Sequence, residues 1–386
     1  MSEAVIVAAA RTPIGRARKG SLRDVRPDDL GGLVVREVVD RAAPLDPADI
    51  EDVVVGCAVP EGQQGFGIAR TVALLAGLPE TVPGLTVTRA CSSSLQSIRS
   101  AAHAILAGEG EVFVAGGVES VSAVPMPSGY DALNPRFTDP GREDYVDNLF
   151  ISMLETAENV AVRYGITRER MDEYALLSQQ RAVASQNNGF FDREIVPVTA
   201  PDGTLVTADD GPRPGTTLDG LRQLQPVMPD GRVTAGNACP LNDGAAAVVV
   251  MSADRARGLG LTPLARIVAS AVSGLEPEYM GVGPIEAVRK VLAHTGMSIA
   301  DIDIVELNEA FAAQVLAVAD TLGIDVAEQL NPHGGAIALG HPFGMTGARI
   351  MTTLLNGLRT RDQQFGIETM CVGGGMGMAM LVERLS

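Results

Sequence analysis

Tryptophan is absent from the 386 residues, and aromatic side chains make up only 4% of them. A core without large rings must be filled by Val, Leu, Ile, Ala and Met, and a hydrophobic fraction of 46% supplies enough of these. Lysine occurs only at Lys19 and Lys290, and acidic residues outnumber basic ones to give a formal net charge of −17. Nucleic acid and anionic membrane surfaces need concentrated cationic side chains, so neither is expected as a partner. A phosphorylated small ligand, which needs only a local site, is not excluded. Four cysteines, Cys57, Cys91, Cys239 and Cys371, lie far apart with no CxxC and no metal-ligand spacing. That pattern argues against a disulfide framework and against a metal site, and the thiols read as reduced in a cytoplasmic protein. No basic-then-apolar signal pattern opens the chain, and the closing ERLS is not the usual peroxisomal tripeptide. The uncharged run from Leu330 to Ala348 carries too much Gly, Pro and His for a membrane helix.

What is present alternates between two periods. Apolar runs at Ala4–Ala10, Val53–Gly56, Leu85–Thr88 and Val112–Ala115 read as buried strands. Between them, Pro27–Asp40, Ala69–Ala76 and Ser92–Ala107 carry helical spacing. This predicts α/β layers around a largely buried sheet. From about Glu119 to Thr234 the chain turns polar and rich in turn residues, interrupted by helical stretches at Glu155–Tyr164 and Arg168–Gln186. It reads as an insertion or a lid, because a compact domain seldom carries so much irregular chain. Ala245–Met251 resumes the buried-strand pattern. A second series then follows: strand Leu264–Ala271, helix Pro284–Thr295, strand Ile304–Leu307, helix Ala310–Leu322, a glycine-rich loop and helix, and strands Gly366–Cys371 and Gly377–Val382. The two series have the same outline, which predicts a duplicated α/β unit. The expected division is 1–118 with 235–262 as the first half, 119–234 as the insertion, and 263–386 as the second half.

Two residues stand at related helix starts. In GGAIALGHPFGMTG, His341 precedes Pro342, which keeps its backbone extended and delays the helix to about Thr346. The loop either presents this imidazole or buries it in a tight turn. Cys91, in TRACSSSLQSI, precedes the other helix, with Ser92, Ser93 and Ser94 available as caps. A helix start favours the thiolate, the nucleophilic form, although Cys is also a common small core residue. Cys371 enters a glycine hairpin whose N–H groups can meet an oxyanion. Asn308 and Glu309 sit at a strand-to-helix junction, where Asn can cap a helix or hold a water or carbonyl. His103 and His294 read as structural or exposed, His333 as a second residue able to line the cavity of His341, and Cys57 and Cys239 as structural.

The motifs RTPIG at Arg11, ACSSSLQ around Cys91, AGGVESVS at Ala115, TAENVA at Thr156, AGNA–LNDGAA at Ala235, NEAFA at Asn308, GGAIALGHPFGMTGAR at Gly334 and CVGGGMG at Cys371 run in one order over nearly the whole chain. Together they resemble the thiolases, the acetyl-CoA acetyltransferases and 3-ketoacyl-CoA thiolases. The resemblance implies a thiolase-like α/β fold, two similar halves in a five-layer αβαβα arrangement with an inserted loop domain. It also implies an acyltransferase: CoA-dependent thiolytic cleavage of 3-ketoacyl-CoA, or the reverse Claisen condensation, by a ping-pong route through acyl-Cys91. His341 would take the proton of Cys91, Cys371 would act as acid and base, and His341 with a water on Asn308 would stabilise the enolate. The N–H groups of Cys91 and Gly373 would form a further oxyanion hole. Met153, Ser270, His333 and Phe311 would border the substrate. No metal or permanent cofactor is expected, coenzyme A being a substrate, and the protein would be a homodimer or homotetramer.

The chain departs from the family pattern at several places. Ser94 stands where many thiolases have Gly, Leu154 and Glu155 alter the segment before TAENVA, and Cys239-Pro240 replace Ser-Gly. Gln225 stands where a basic residue near the adenine of CoA is common, and Ala269, beside Ser270, falls where a pantetheine-contacting Ser is common. A ketoacyl synthase would usually carry His in place of Cys371, and a Cys–His hydrolase would leave Cys371 unused.

Overall fold

The computed structural model describes residues 3–124 and 133–386. Positions 125–132, part of the polar stretch read as an insertion, lie outside the described residues. The first half supplies β1 (Ala4–Arg11), α1 (Pro27–Arg41), β2 (Asp52–Gly56), α2 (Ile68–Leu75), β3 (Gly84–Val87), α3 (Ser93–Ala107), β4 (Val112–Ser120) and, after the polar stretch, β5 (Asn242–Ser252). Two long helices lie in that polar stretch, α4 (Met153–Arg163) and α5 (Arg168–Asn187). The second half supplies β6 (Ala265–Gly274), α6 (Gly283–Thr295), β7 (Ile304–Leu307), α7 (Ala312–Leu322), α8 (Thr346–Thr360), β8 (Phe365–Val372) and β9 (Met376–Arg384).

The strands follow one hydrogen-bonded path, β7-β8-β9-β6-β1-β5-β4-β2-β3. It contains the same order twice, reflected about the β1–β6 seam. On one side β1, β5, β4, β2 and β3 follow outward; on the other, β6, β9, β8 and β7 do. A single parallel bridge from Val305 to Leu330 stands where the second half would have its counterpart of β3. The seam is short: Val5 pairs with Arg266, and Ile6 with Ala265.

Side-chain alternation along the strands builds the layers. On β5, Ala245, Ala247, Val249 and Met251 enter one core with α1 and α2 residues such as Val34, Val38 and Val72. The alternating Ala246, Val248 and Val250 face a central core with Leu95, Ile98, Met351 and Leu354. On β9, Met378, Met380 and Val382 share that central core, whereas Ala379 and Leu381 face a third core with Val288, Val291 and Val315. Outer helices, sheet, α3 with α8, sheet and outer helices thus form five layers. Each fully buried Leu or Ile in these cores contributes about 1.5–3 kcal/mol, so aliphatic packing suffices without Trp.

The central layer brings the two reactive segments together. α3 turns its Leu95, Ile98, Ala102 and Ile105 stripe inward and stops at Gly108, whose φ of 76° suits the left-handed C-cap. α8 is buried from Thr346 through Leu358, because it lies between two sheets and against α3. Ser94 Oγ accepts the N–H of Ala348 at 2.9 Å, so the Ser that replaces Gly satisfies a donor in the first turn of α8. At Gly347 an added Cβ would lie 2.3 Å from Leu95 N, which shows how closely the two helix starts meet.

Candidate active site

A left-handed residue, Ala90 (φ 43°), delivers Cys91 from β3 to the start of α3. The serines do not cap as expected. Ser93 Oγ accepts from Arg89 N–H at 2.9 Å and donates to Ala90 O at 2.6 Å, and Ser92 Oγ donates to Arg89 O at 3.2 Å. They brace the turn instead of the helix. Cys91 is half-buried, and the backbone N–H groups of Gly373 and of Cys91 itself favour its thiolate. Even so, burial pushes its pKa up to about 11, the two N–H groups opposing the shift without overcoming it. The helix start therefore does not make Cys91 a resting thiolate, as local reasoning expects, because desolvation is the larger effect.

Pro342 and Gly340 (φ 117°) shape the loop around His341, which is 1% exposed. Its N–H donates to Asn242 Oδ1 at 2.9 Å, and Asn242 Nδ2 donates to Gly15 O at 3.0 Å. Thr346 Oγ1 donates to Pro342 O at 2.7 Å, so at 2.6 Å it accepts from Nδ1 of His341. These partners assign the proton to Nδ1 and leave Nε2 with a lone pair, which faces Asn308 Nδ2 at 3.3 Å. Burial, with the charge of Arg349 second, pushes His341 down to about 3. The resting pair is a neutral thiol and a neutral imidazole.

Asn308 is held by its backbone: its N–H donates to Thr369 O at 3.0 Å, and its carbonyl accepts from Gln314 Nε2 at 3.2 Å. Its Oδ1 is buried without a partner, an acceptor fit for a polar ligand atom. The neighbouring Glu309 accepts from Tyr174 Oη (2.7 Å), Ser178 Oγ (2.6 Å), Asn331 Nδ2 (2.9 Å) and Ile337 N–H (3.0 Å). One carboxylate thus ties α5 to both the Asn308 turn and the segment leading to His341.

Cys371 pairs with Gly377 across the β8–β9 hairpin, whose turn places Gly374 and Gly375 at φ 85° and 79°. Side chains are barred at Gly375, where a Cβ would lie 2.3 Å from Leu275 O. Burial pushes the Cys371 thiol well above its ordinary range, and the charges of Cys91 and Cys239 add to this. Cys239 therefore belongs to the site, although its sequence context reads as structural. It is half-buried and pushed up to about 12 by burial and by Cys91, and its N–H donates to Ala310 O at 3.0 Å. Cys57 is buried elsewhere, its thiol 3.8 Å from Glu119.

Of the expected substrate-side residues, Phe311 is buried at the start of α7 beside Ala238. Met153 is the exposed first residue of α4, and the preceding Leu149 reaches within 3.7 Å of a Cβ position on Gly374. One other is not brought in. His333 stacks on Phe190 (centroids 3.6 Å, 9°), with Ser185 Oγ 3.3 Å from Nδ1, in a cleft with Asn188, Arg193 and Thr360. The left-handed Asn331 and Gly334 turn the chain on either side of it, and the helix Ala336–Leu339 separates it from His341. Ser270 lies on β6 with its Oγ accepting from Arg99 Nε at 3.1 Å, and its hydroxyl keeps a hydrogen to donate. Among the described residues no three His, Cys, Asp or Glu side chains converge on a metal-sized site, and no helix is long and apolar enough to cross a membrane.

Sequence reasoning passed over Thr346, Asn242, Glu119 and Gln314. Only Thr346 had a local signal, a hydroxyl one turn beyond His341. Glycine at 344 is a steric necessity: a Cβ there would lie 2.4 Å from Val118 O. Gly344→Ala is expected to cost about 1–3 kcal/mol in urea unfolding, together with a fall in kcat/KM as the His341 loop is pushed aside.

Residues 4–254 match the family model described as thiolase, N-terminal domain, and residues 261–384 match thiolase, C-terminal domain. The 3-ketoacyl-CoA thiolase of Bacillus subtilis (strain 168) is 46% identical over 396 residues, covering 99% of this chain and all of the relative. The 3-oxoadipyl-CoA/3-oxo-5,6-dehydrosuberyl-CoA thiolase of Escherichia coli K12 is 46% identical over 406 residues, covering both chains fully. The crystal structure of the Bacillus anthracis acetyl-CoA acetyltransferase superposes with a TM-score of 0.92 at 42% identity, over 100% of this chain and 99% of that one. Matched over 4–254 and 261–384 by the two domain models and over nearly its whole length by these relatives, the chain belongs to the thiolase family.

Proposed function

We propose that the protein is a thiolase that uses free CoA to cleave 3-ketoacyl-CoA into acetyl-CoA and a shortened acyl-CoA, or runs the reverse condensation. The observation that carries the reading is the grouping of the Cys91, Cys239 and Cys371 thiols, which act on one another, around the Asn308 turn, which bonds to Thr369 and Cys239 through its backbone and faces the Nε2 lone pair of His341. Nε2 takes the thiol proton as Cys91 attacks the 3-keto carbon. The C2–C3 bond breaks, and the acetyl-CoA enolate takes the proton of Cys371. The Cys371 thiolate then takes the proton of incoming CoA, whose sulfur accepts the acyl group, and Cys91 recovers its proton from His341.

The N–H groups of Cys91 and Gly373 form one oxyanion hole; His341 and a water on Asn308 Oδ1 form the other, each donor contributing about 3 kcal/mol to lowering the barrier. Met153 and Phe311 border the acyl and pantetheine channel. The polar stretch 119–234 serves as the loop domain, 1–118 with 235–262 as the first half and 263–386 as the second. The working form is a homodimer or homotetramer in the cytoplasm, with acyl-CoA and CoA as its ligands and no resident cofactor. A Cys–His hydrolase would give Cys371 no task.

Peptide mass spectrometry after brief exposure to 3-ketoacyl-CoA without free CoA tests the mechanism. The expected result is an acyl mass on Cys91 that CoA discharges. An adduct removed by water but not by CoA would replace thiolase with hydrolase chemistry.

A further inference from the structure

Glu119, near the end of β4, is 1% exposed and surrounded by donors. Oε2 accepts the N–H groups of Ala58 and Gly344, both at 2.8 Å. Oε1 accepts Val59 N–H at 3.2 Å and Gln64 Nε2 at 2.8 Å, with the Cys57 thiol at 3.8 Å. These partners suit a carboxylate, which accepts at every lone pair, and do not suit an amide, which must donate. They also come from separate parts of the chain. Ala58, Val59 and Gln64 follow β2, whereas Gly344 lies in the loop between His341 and α8. The β2 side leads to Cys91: Cys57 N–H donates to Val87 O at 3.0 Å, and Thr88 Oγ1 donates to Ala58 O at 3.4 Å. A single buried carboxylate therefore links the approach to Cys91 with the loop that carries His341.

We propose that Glu119 is a positioning residue for the thiolase reaction, its carboxylate fixing the His341 loop against the approach to Cys91. The proposal rests on the assignment of Cys91 as nucleophile and His341 as base. Beyond hydrogen bonding, a negative charge here opposes a second one on Cys91. Glu119 does raise the pKa of Cys91 through space. The other groups acting on the pair are Cys239 and Cys371, which face Cys91, and Arg349 of α8, which acts on His341. Arg89, beside Cys91, is tied to Gln96, and Asp243 on β5 is held by Ser120 and Ser122.

Two variants separate charge from geometry. Each is read by the pH dependence of Cys91 alkylation with iodoacetamide, located by peptide mass spectrometry, and by kcat and KM for thiolysis. Glu119→Gln is expected to move the alkylation midpoint down, since a repelling charge is gone. Its kcat is expected to fall about 100-fold while KM stays within about threefold, as the His341 loop loses its register with Cys91. Glu119→Asp keeps the charge on a shorter arm, so its midpoint stays in place while kcat falls. Wild-type kcat in a folded Glu119→Gln protein overturns the positioning role, and a lowered melting temperature alone assigns Glu119 to packing. If Glu119→Gln does not fold, Glu119→Asp decides, and wild-type kcat in that variant overturns the positioning role. Alkylation and acylation of the wild-type protein at a residue other than Cys91 would instead overturn the underlying assignment, and this proposal with it.

Discussion

Cys91→Ala is expected to lower thiolysis by roughly 10⁵-fold or more while leaving a folded protein. The loss is large because Cys91 is the thiol whose thiolate the N–H groups of Gly373 and Cys91 favour. Cys371 is more deeply buried, and both Cys371 and Cys239 are held protonated by desolvation. The remaining oxyanion hole still binds a thioester carbonyl, so CoA-ester binding is expected to survive within a few-fold. The fold should tolerate the change, since Cys91 is half-buried and the turn is braced by Ser92 and Ser93, not by the thiol. An unfolding midpoint within about 1 kcal/mol of wild type fits that view. The decisive measurement combines turnover with intact mass. Residual turnover above about one part in 10³ with an acyl mass elsewhere would move the nucleophile to Cys239 or Cys371.

Cys371→Ala is expected to divide the reaction. Thiolysis of 3-ketoacyl-CoA should fall about 10³-fold, within the usual range for loss of a general acid–base group. Transfer of an acyl group from a simple acyl-CoA onto Cys91 needs no carbon acid, and should fall far less. The reason lies in the pKa direction. Burial keeps the Cys371 thiol protonated, so it stands ready to donate to an enolate at physiological pH. The adjoining turn, Gly373 to Gly375, has no side chain that could replace it as a donor. Single-turnover acylation from the two donor types, followed by quenched mass spectrometry, reads both halves. Equal losses in both would remove the division of labour between Cys91 and Cys371.

The strands and helices were legible because they obey local periods. β5 alternates between two cores, and α3 repeats its apolar residues every three or four positions. The duplication was visible as an outline, yet its reflected strand order depends on the β1–β6 seam, where residues 5 and 6 meet 266 and 265. No local pattern announces such a pairing. Cys91 and His341 stand out as candidates for a related reason: each stands where a turn must release a helix, a serine-rich one for Cys91 and a Gly- and Pro-marked one for His341.

His333 shows the limit. Eight residues from His341 in sequence, it was expected in the same cavity, but two left-handed residues and a short helix carry it to a different cleft. Cys239 shows the reverse, a thiol in an unremarkable loop that the Ala310 backbone draws beside Cys91.

The class of fold and the candidates Cys91, Asn308, His341 and Cys371 with their order along the chain were therefore legible in sequence, because residue type, spacing and turn chemistry are local properties. Tertiary structure decided the states and the supports. Burial made Cys91 a thiol and His341 a neutral base, Thr346 chose the tautomer, and Glu119 and Glu309 joined segments far apart in the chain. Desolvation and long-range hydrogen bonds come into being only when distant residues pack, which is why no reading of neighbours along the chain can supply them.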